Sequence, residues 1–171
     1  MILRRLVFLF GVAAAVALFL RAFAFEGIYV ATASMEPTLP VGAHLFLDKV
    51  TYRWRAPRRG EIIVFKAPVA PHREMIKRVI AVGGDTVEIR DKKVFLKEEA
   101  LEEPYVQYTR SQERLRGDNL GPLTVPAEHL FVLGDNRDDS DDSSVWRDPE
   151  TNAPVYFLPI SLVRGKSRGF Y

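Results

Sequence analysis

Two patterns of apolar residues divide the chain. Residues 6–20 run without a charge or a proline, and after Arg21 the apolar character resumes to Phe25, so 6–25 holds twenty residues with one charge. At about 1.5 Å per helical residue this covers about 30 Å, the thickness of a hydrocarbon core, and predicts a membrane-spanning helix. Arg4 and Arg5 favour an N-terminus left in the cytoplasm, and Arg21 lies where its long side chain can reach the headgroups. Everything after Phe25 is then expected on the outer face. The triplet Ala22-Phe23-Ala24 also fits the end of a cleavable secretory signal. Arg21 directly before it interrupts that junction, so an uncleaved anchor is preferred.

Beyond residue 26 no long helical periodicity occurs. Short apolar runs are bounded by Gly and Pro: 42–50, 61–65, 75–82, 86–90, 94–96, 130–133 and 160–163. These read as strands of a mainly β, antiparallel domain. The chain thus divides into 1–26, tip and anchor, and 27–171, an external β-rich domain. In 75–82 a period of two puts Met75, Lys77, Val79 and Ala81 on one face, and Ile76, Arg78, Ile80 and Val82 on the other. Residues 97–122 are polar and read as an exposed, variable excursion.

At 171 residues and 47% hydrophobic content there is room for one compact core. A formal charge of +2, with acids mixed among the bases, speaks against nucleic acid as a partner. Without cysteine there are no disulfides or thiolate ligands. His44, His72 and His129 stand in unlike contexts with no metal spacing, so neither a metal nor a cofactor is expected. A Ser-His-Asp triad stays open on sequence alone, although none of the three histidines sits in a distinctive motif. Lys49, Arg53, Arg55, Arg58 and Arg59 around Tyr52 and Trp54 suit either anionic headgroups or an ordinary solvated loop.

Candidate chemistry begins a few residues beyond the apolar segment, in Thr32-Ala33-Ser34-Met35-Glu36-Pro37-Thr38-Leu39. Ser34 is placed like a nucleophile working at a bilayer surface. A lysine has a pKa of about 10.4 in water and cannot accept its proton, but burial disfavours the ammonium and can shift it by about 3 to 5 units. Lys77, flanked on its face by Met75, Val79 and Ala81, is the candidate base. Five aspartates between Asp135 and Asp142 lack the glycine and terminal glutamate of an EF-hand loop, and read as a loop fixed by local hydrogen bonds.

Three blocks in this order, behind an anchor, resemble the bacterial type I signal peptidases, membrane-bound serine endopeptidases that remove signal peptides from exported preproteins. They are Ser34-Met35-Glu36-Pro37-Thr38-Leu39, Lys77-Arg78-Val79 with Gly84-Asp85, and Gly134-Asp135-Asn136-Arg137-Asp138-Asp139-Ser140 with Asp142 and Ser143. The resemblance covers about 1–101 and 129–166. It implies Ser34 as nucleophile, Lys77 as general base, Ser140 orienting the lysine, and an oxyanion hole from the Ser34 N–H and the Thr32 hydroxyl. Asp135, Asn136, Arg137, Asp142 and Ser143 would support the loop. Ile28, Val30, Met35, Glu74, Met75 and Ile76 would wall shallow pockets for small residues, giving an Ala-x-Ala preference. Family members commonly carry arginine where this chain has Ser144, which removes the expected partner of Asp142; Arg137 is the candidate replacement. The expected partners are exported preproteins and the lipid bilayer, with the protein a monomer in the bacterial cell membrane. A relative with a dedicated substrate, or a non-catalytic tethered β-module, are the rival expectations. A separation of Ser34 and Lys77 beyond about 6 Å would exclude the dyad.

Overall fold

The computed structural model describes residues 2–23 and 25–171, apart from the side chains of residues 17, 19–23 and 25. Arg21 and the Ala22-Phe23-Ala24 triplet, considered as a headgroup contact and as a cleavage site, lie outside the side chains so described. Helix α1 (Ile2–Phe23) spans 22 residues, with Leu6, Val7, Phe8, Leu9 and Phe10 exposed. Among the described residues, however, no helix is long and apolar enough to cross a membrane. Arg4 and Arg5 occupy the first turn of α1, so its apolar stretch is shorter than the helix itself.

The rest is mainly β, with eleven strands among the described residues, in two antiparallel sheets. The larger sheet is formed by β1 (Phe25–Tyr29), β2 (His44–Asp48), β3 (Ile62–Lys66), β4 (Glu74–Val82), β9 (His129–Leu133), β10 (Leu158–Pro159) and β11 (Val163–Phe170), in the order β1-β2-β11-β3-β4-β9-β10. The smaller holds β5 (Thr86–Arg90), β6 (Lys93–Leu96), β7 (Glu99–Ala100) and β8 (Leu120–Thr124), ordered β7-β6-β5-β8. Strand β1 directly follows the apolar helix, and no break in hydropathy marks the change. In the β5–β6 hairpin, Asp91 and Lys92 both take positive φ (47° and 70°), the handedness that matches strand twist in a two-residue turn.

Strand β4 is the spine of the site. Its register with β3 pairs Lys77 with Ile63 and Met75 with Phe65. On its other side it pairs with β9 from Arg78 to Val82, with a register shift between Val79 and Ala81. That shift exchanges the faces, as a bulge does. Met75 and Val79 pack with Phe65, Val132 and Trp146, whereas Ala81 and Ile80 join Val87, Val94 and Phe131 beneath the smaller sheet. The strict alternation expected for 75–82 therefore holds only as far as Val79. A third cluster, Val30, Met35, Leu39, Leu45, Leu47 and Val64, supports the segment that carries Ser34.

The excursion 97–122 differs from its expectation. It supplies β7 and begins β8, and its backbone is tied to the acidic loop: the Gln107 N–H donates to the Asp135 carbonyl at 3.0 Å, and the Arg137 N–H to the Gln107 carbonyl at 3.1 Å. Its polar residues satisfy buried polar groups of that loop, a use that hydropathy cannot distinguish from solvation.

Candidate active site

Ser34 sits in a single 3-10 turn (Ala33–Met35) whose bounding residues Thr32 and Glu36 are extended. Met35 anchors the turn in the core, and the Leu39 N–H donates to the Met35 carbonyl at 2.9 Å. Ser34 is 8% exposed and Lys77 2%. The Lys77 Nζ lies 2.6 Å from Ser34 Oγ, across 43 positions of sequence, and the Thr32 hydroxyl is 3.2 Å from the same oxygen.

Burial pushes the Lys77 amine down to about 8; Asp142, Asp141 and Asp135 pull it back up, and Arg73 adds to the lowering. Desolvation outweighs three carboxylates because none of them forms an ion pair with the amine among the described residues: Asp141 pairs with Arg73, Asp135 with Arg78, and Asp142 is saturated by neutral donors.

The five aspartates of the loop divide by direction. Asp135, Asp138 and Asp142 are buried, while Asp139 and Asp141 line the cleft. Arg78 donates to Asp135 from Nε (2.8 Å) and Nη2 (2.6 Å), with the Thr38 hydroxyl adding a bond of 2.5 Å. Lys92, from the turn of the β5–β6 hairpin, donates to Asp138 at 2.6 Å, and the Arg110 N–H reaches the same carboxylate at 2.7 Å. The loop is thus a neutralised, hydrogen-bonded element and, among the described residues, no group that could hold a metal occurs.

Two expectations for the loop change. Ser140, expected to orient Lys77, gives its one hydroxyl proton to Asp142 Oδ2 at 2.5 Å, since a carboxylate is the stronger acceptor. Arg137, the candidate partner for Asp142, donates instead to Glu103 at 2.5 and 2.9 Å and to the Gly134 carbonyl at 3.1 Å. No arginine is needed at Asp142: it accepts from the Gly134 N–H (3.0 Å) and from the amide and hydroxyl of Ser144 (3.0 and 2.7 Å) as well. Ser143 ties the loop to β9, its Oγ accepting from the Val132 N–H at 3.0 Å. Asn136 reaches the Ser34 turn, with its N–H on the Ser34 carbonyl at 3.2 Å and its amide on Ala33 at 3.3 Å.

A cleft of about 320 Å³ opens beside Ser34 and Lys77. Ile28, Val30, Met35, Glu74, Met75 and Ile76 all line it, as do Thr32, Arg73, Asp139 and Asp141. Val30, Met35 and Met75 form a buried floor; Glu74 stands at the rim in an ion pair with Arg164. The histidines are engaged elsewhere: His44 with Tyr29 and Tyr171, His72 with the Ala67 carbonyl, His129 with the Ala127 carbonyl. In the basic loop Arg55 pairs with Glu61, Arg59 with Asp85 and Lys49 with Glu26, which reduces the charge it offers to a surface.

A family model described as signal peptidase, peptidase S26, matches residues 3–171. The chain belongs to this family. It is 38% identical over 163 residues to signal peptidase I of Leptolyngbya laminosa, covering 88% of this chain and 77% of that one. It is 36% identical over 136 residues to signal peptidase I P of Bacillus subtilis subsp. natto, covering 77% and 73%. A crystal structure of a signal peptidase I from Enterococcus faecalis V583 matches with a TM-score of 0.47 at 29% identity, over 66% of this chain and 97% of that one. The chain is accordingly a serine peptidase, a hydrolase of the signal peptidase family.

Sequence reasoning did not single out Glu103, Tyr105 or Lys92 at this site, nor Arg73 at the cleft, and it placed Asp138 and Asp141 in the loop without a role. One signal was present: Tyr105 and Tyr108 are large aromatics in an otherwise polar excursion. The Tyr105 ring lies 3.8 Å from the Arg78 guanidinium.

Proposed function

We propose that this signal peptidase removes signal peptides from exported preproteins by a Ser-Lys mechanism, with Ser34 as nucleophile and Lys77 as general base. The observation that carries this is the 2.6 Å contact between Lys77 Nζ and Ser34 Oγ in an enclosed site. Neutral Lys77 takes the Ser34 proton as Oγ attacks the scissile carbonyl, and the oxyanion is held by the Ser34 N–H and the Thr32 hydroxyl. Collapse expels the amine, which receives the proton from Lys77. Water then attacks the acyl-enzyme with the same base, returning Ser34 and releasing a carboxylate.

The apolar floor of Val30, Met35 and Met75 suits small side chains and excludes large ones by overlap, which supports an Ala-x-Ala preference. Helix α1 is the anchor in this proposal. Its exposed apolar side chains, Leu6 to Phe10 among them, support association with the bacterial cell membrane, with the β-domain outside. The roles of Asp135, Asn136, Arg137, Asp142 and Ser143 are to hold the loop that faces the dyad.

Cleavage of a preprotein bearing an Ala-x-Ala junction tests this directly. Ser34→Ala and Lys77→Ala should each lose at least about a thousandfold in kcat. Wild-type rates in either variant would remove the dyad, and equal cleavage of a junction with leucine in place of both alanines would remove the pocket assignment.

A further inference from the structure

Glu103 and Arg137 form an ion pair in which both side chains are less than a tenth exposed, at 7% and 8%. Neither residue lines the cleft. The pair is bidentate, and the Tyr105 hydroxyl donates to Glu103 at 3.0 Å, so the carboxylate is fixed from two sides. Burying such a pair gives little net stability, because apolar residues of similar volume would serve as well. What the charged pair provides is a fixed plane for the guanidinium. The third donor of that guanidinium, Nε, lands on the Gly134 carbonyl at 3.1 Å.

From Gly134 the constraint reaches the reacting residue in two steps. Gly134 packs so closely on the Ser34 carbonyl and Ser140 that a Cβ there would overlap both. Two residues on, the Asn136 N–H donates to the Ser34 carbonyl and its side chain to Ala33. On either side of Asn136, Asp135 and Arg137 are clamped by the backbone of Gln107. The backbone of Ser34 is thus located by 134–136, and that segment by a carboxylate from the excursion.

We infer that Glu103 is a positioning residue for hydrolysis: acting through Arg137, it holds the 134–136 segment against the Ser34 turn and so sets the direction of Ser34 Oγ toward its base. This rests on the assignment of Ser34 and Lys77 as the dyad. It gives the polar excursion 97–122 a function in the chemistry without contact to substrate.

The test measures kcat and KM for Glu103→Gln and Glu103→Asp in the full-length protein, with Glu102→Gln, an exposed neighbour, as control. Glu103→Gln should lower kcat roughly tenfold or more with KM within about twofold, since misplacement of reacting groups by about 1 Å can cost a hundredfold. Glu103→Asp keeps the charge but shortens the reach; it should fold with a melting temperature near wild type and still lose severalfold in kcat. If Glu103→Gln fails to fold, Glu103→Asp decides alone. A folded variant with wild-type kcat, or a loss matching only the unfolded fraction, overturns the inference. Should Ser34→Ala or Lys77→Ala remain active, the dyad itself fails; should both be inactive while Glu103→Gln is unimpaired, only the positioning role fails.

Discussion

Lys77 shows how one residue sets function against stability. Its amine titrates near 8 in the folded chain because burial disfavours the ammonium, against an ordinary value of 10.5. At pH 7 about a tenth of the molecules hold the neutral amine, so with Lys77 as the proposed base kcat/KM should rise about tenfold per pH unit up to about 8 and then level off. Stability runs the same way. Between pH 8 and 10.5 the unfolded chain binds more protons at this site than the folded one, so the Lys77 contribution to stability increases with pH through that window. Below pH 8 both states are protonated and the full burial penalty, about 3 kcal/mol, is in force. Lys77→Met should therefore be inactive yet more stable than wild type at pH 7, by an amount that shrinks toward pH 10.5. Urea titrations at the two pH values measure this; an equal or lower stability at pH 7 would contradict it. The meeting of Ser34 and Lys77 was legible in sequence, from a serine beside an apolar segment, a lysine inside an apolar alternation and the motif blocks that contain them. Glu103 was not, since a glutamate in a polar stretch has the same pattern whether it faces water or a buried arginine.

At the scale of elements, the acidic loop has no regular secondary structure apart from one 3-10 turn (Arg137–Asp139), yet elements distant in sequence fix it. Arg78 comes from β4, Lys92 from the β5–β6 turn and Glu103 from the excursion. The strand patterns around it were readable because apolar alternation reports burial directly. Strand β1 was hidden by the helix it follows, β8 by Gly121 and Pro122 within it, and β11 by its polar sequence: residues 160–163, expected as the last strand, form a 3-10 turn (Ile160–Leu162), and the strand runs from Val163 to Phe170. The aspartate spacing hinted at a rigid loop but not at which side chains turn inward, since that depends on partners supplied from outside. Gly134 is where the loop meets the Ser34 turn, and a Cβ there would collide with both the Ser34 backbone and Ser140. Gly134→Ala should destabilise the protein by about 2–3 kcal/mol and lower kcat by about a hundredfold even where the chain remains folded. Denaturation midpoints and turnover at 15 °C separate the two effects, and a variant with wild-type turnover would show that this approach does not locate Ser34.

For the whole molecule, the cleft lies where the core that carries the Ser34 turn, through Val30 and Met35, meets the core beneath β3 and β4, through Met75, and the only long helix among the described residues leads into the edge strand β1. The fold class was legible from composition and period; the division into two sheets was not, because the register shift in β4 that hands Ile80 and Ala81 to the smaller sheet leaves no mark in the residue pattern. If α1 anchors the enzyme as proposed, its contribution is to concentrate enzyme and substrate at one surface and not to complete the site. A chain starting at residue 24 should cleave a short soluble peptide at a rate within about threefold of the full chain, while losing at least about tenfold on a membrane-inserted preprotein. Equal losses on both substrates would give the helix a structural part in the domain.

The clamps on the acidic loop bear also on how that segment breathes. The N–H groups of Gly134, Asn136, Arg137, Ser143 and Ser144 all donate to partners within the chain, the last to Asp142 itself. Amide protons exchange with deuterium only when such bonds open, and here opening means releasing several buried charges together. A stretch with the outward form of a coil should therefore exchange as slowly as the central strands. Residues 111–114 of the excursion, exposed and with few partners, should instead label within the first seconds.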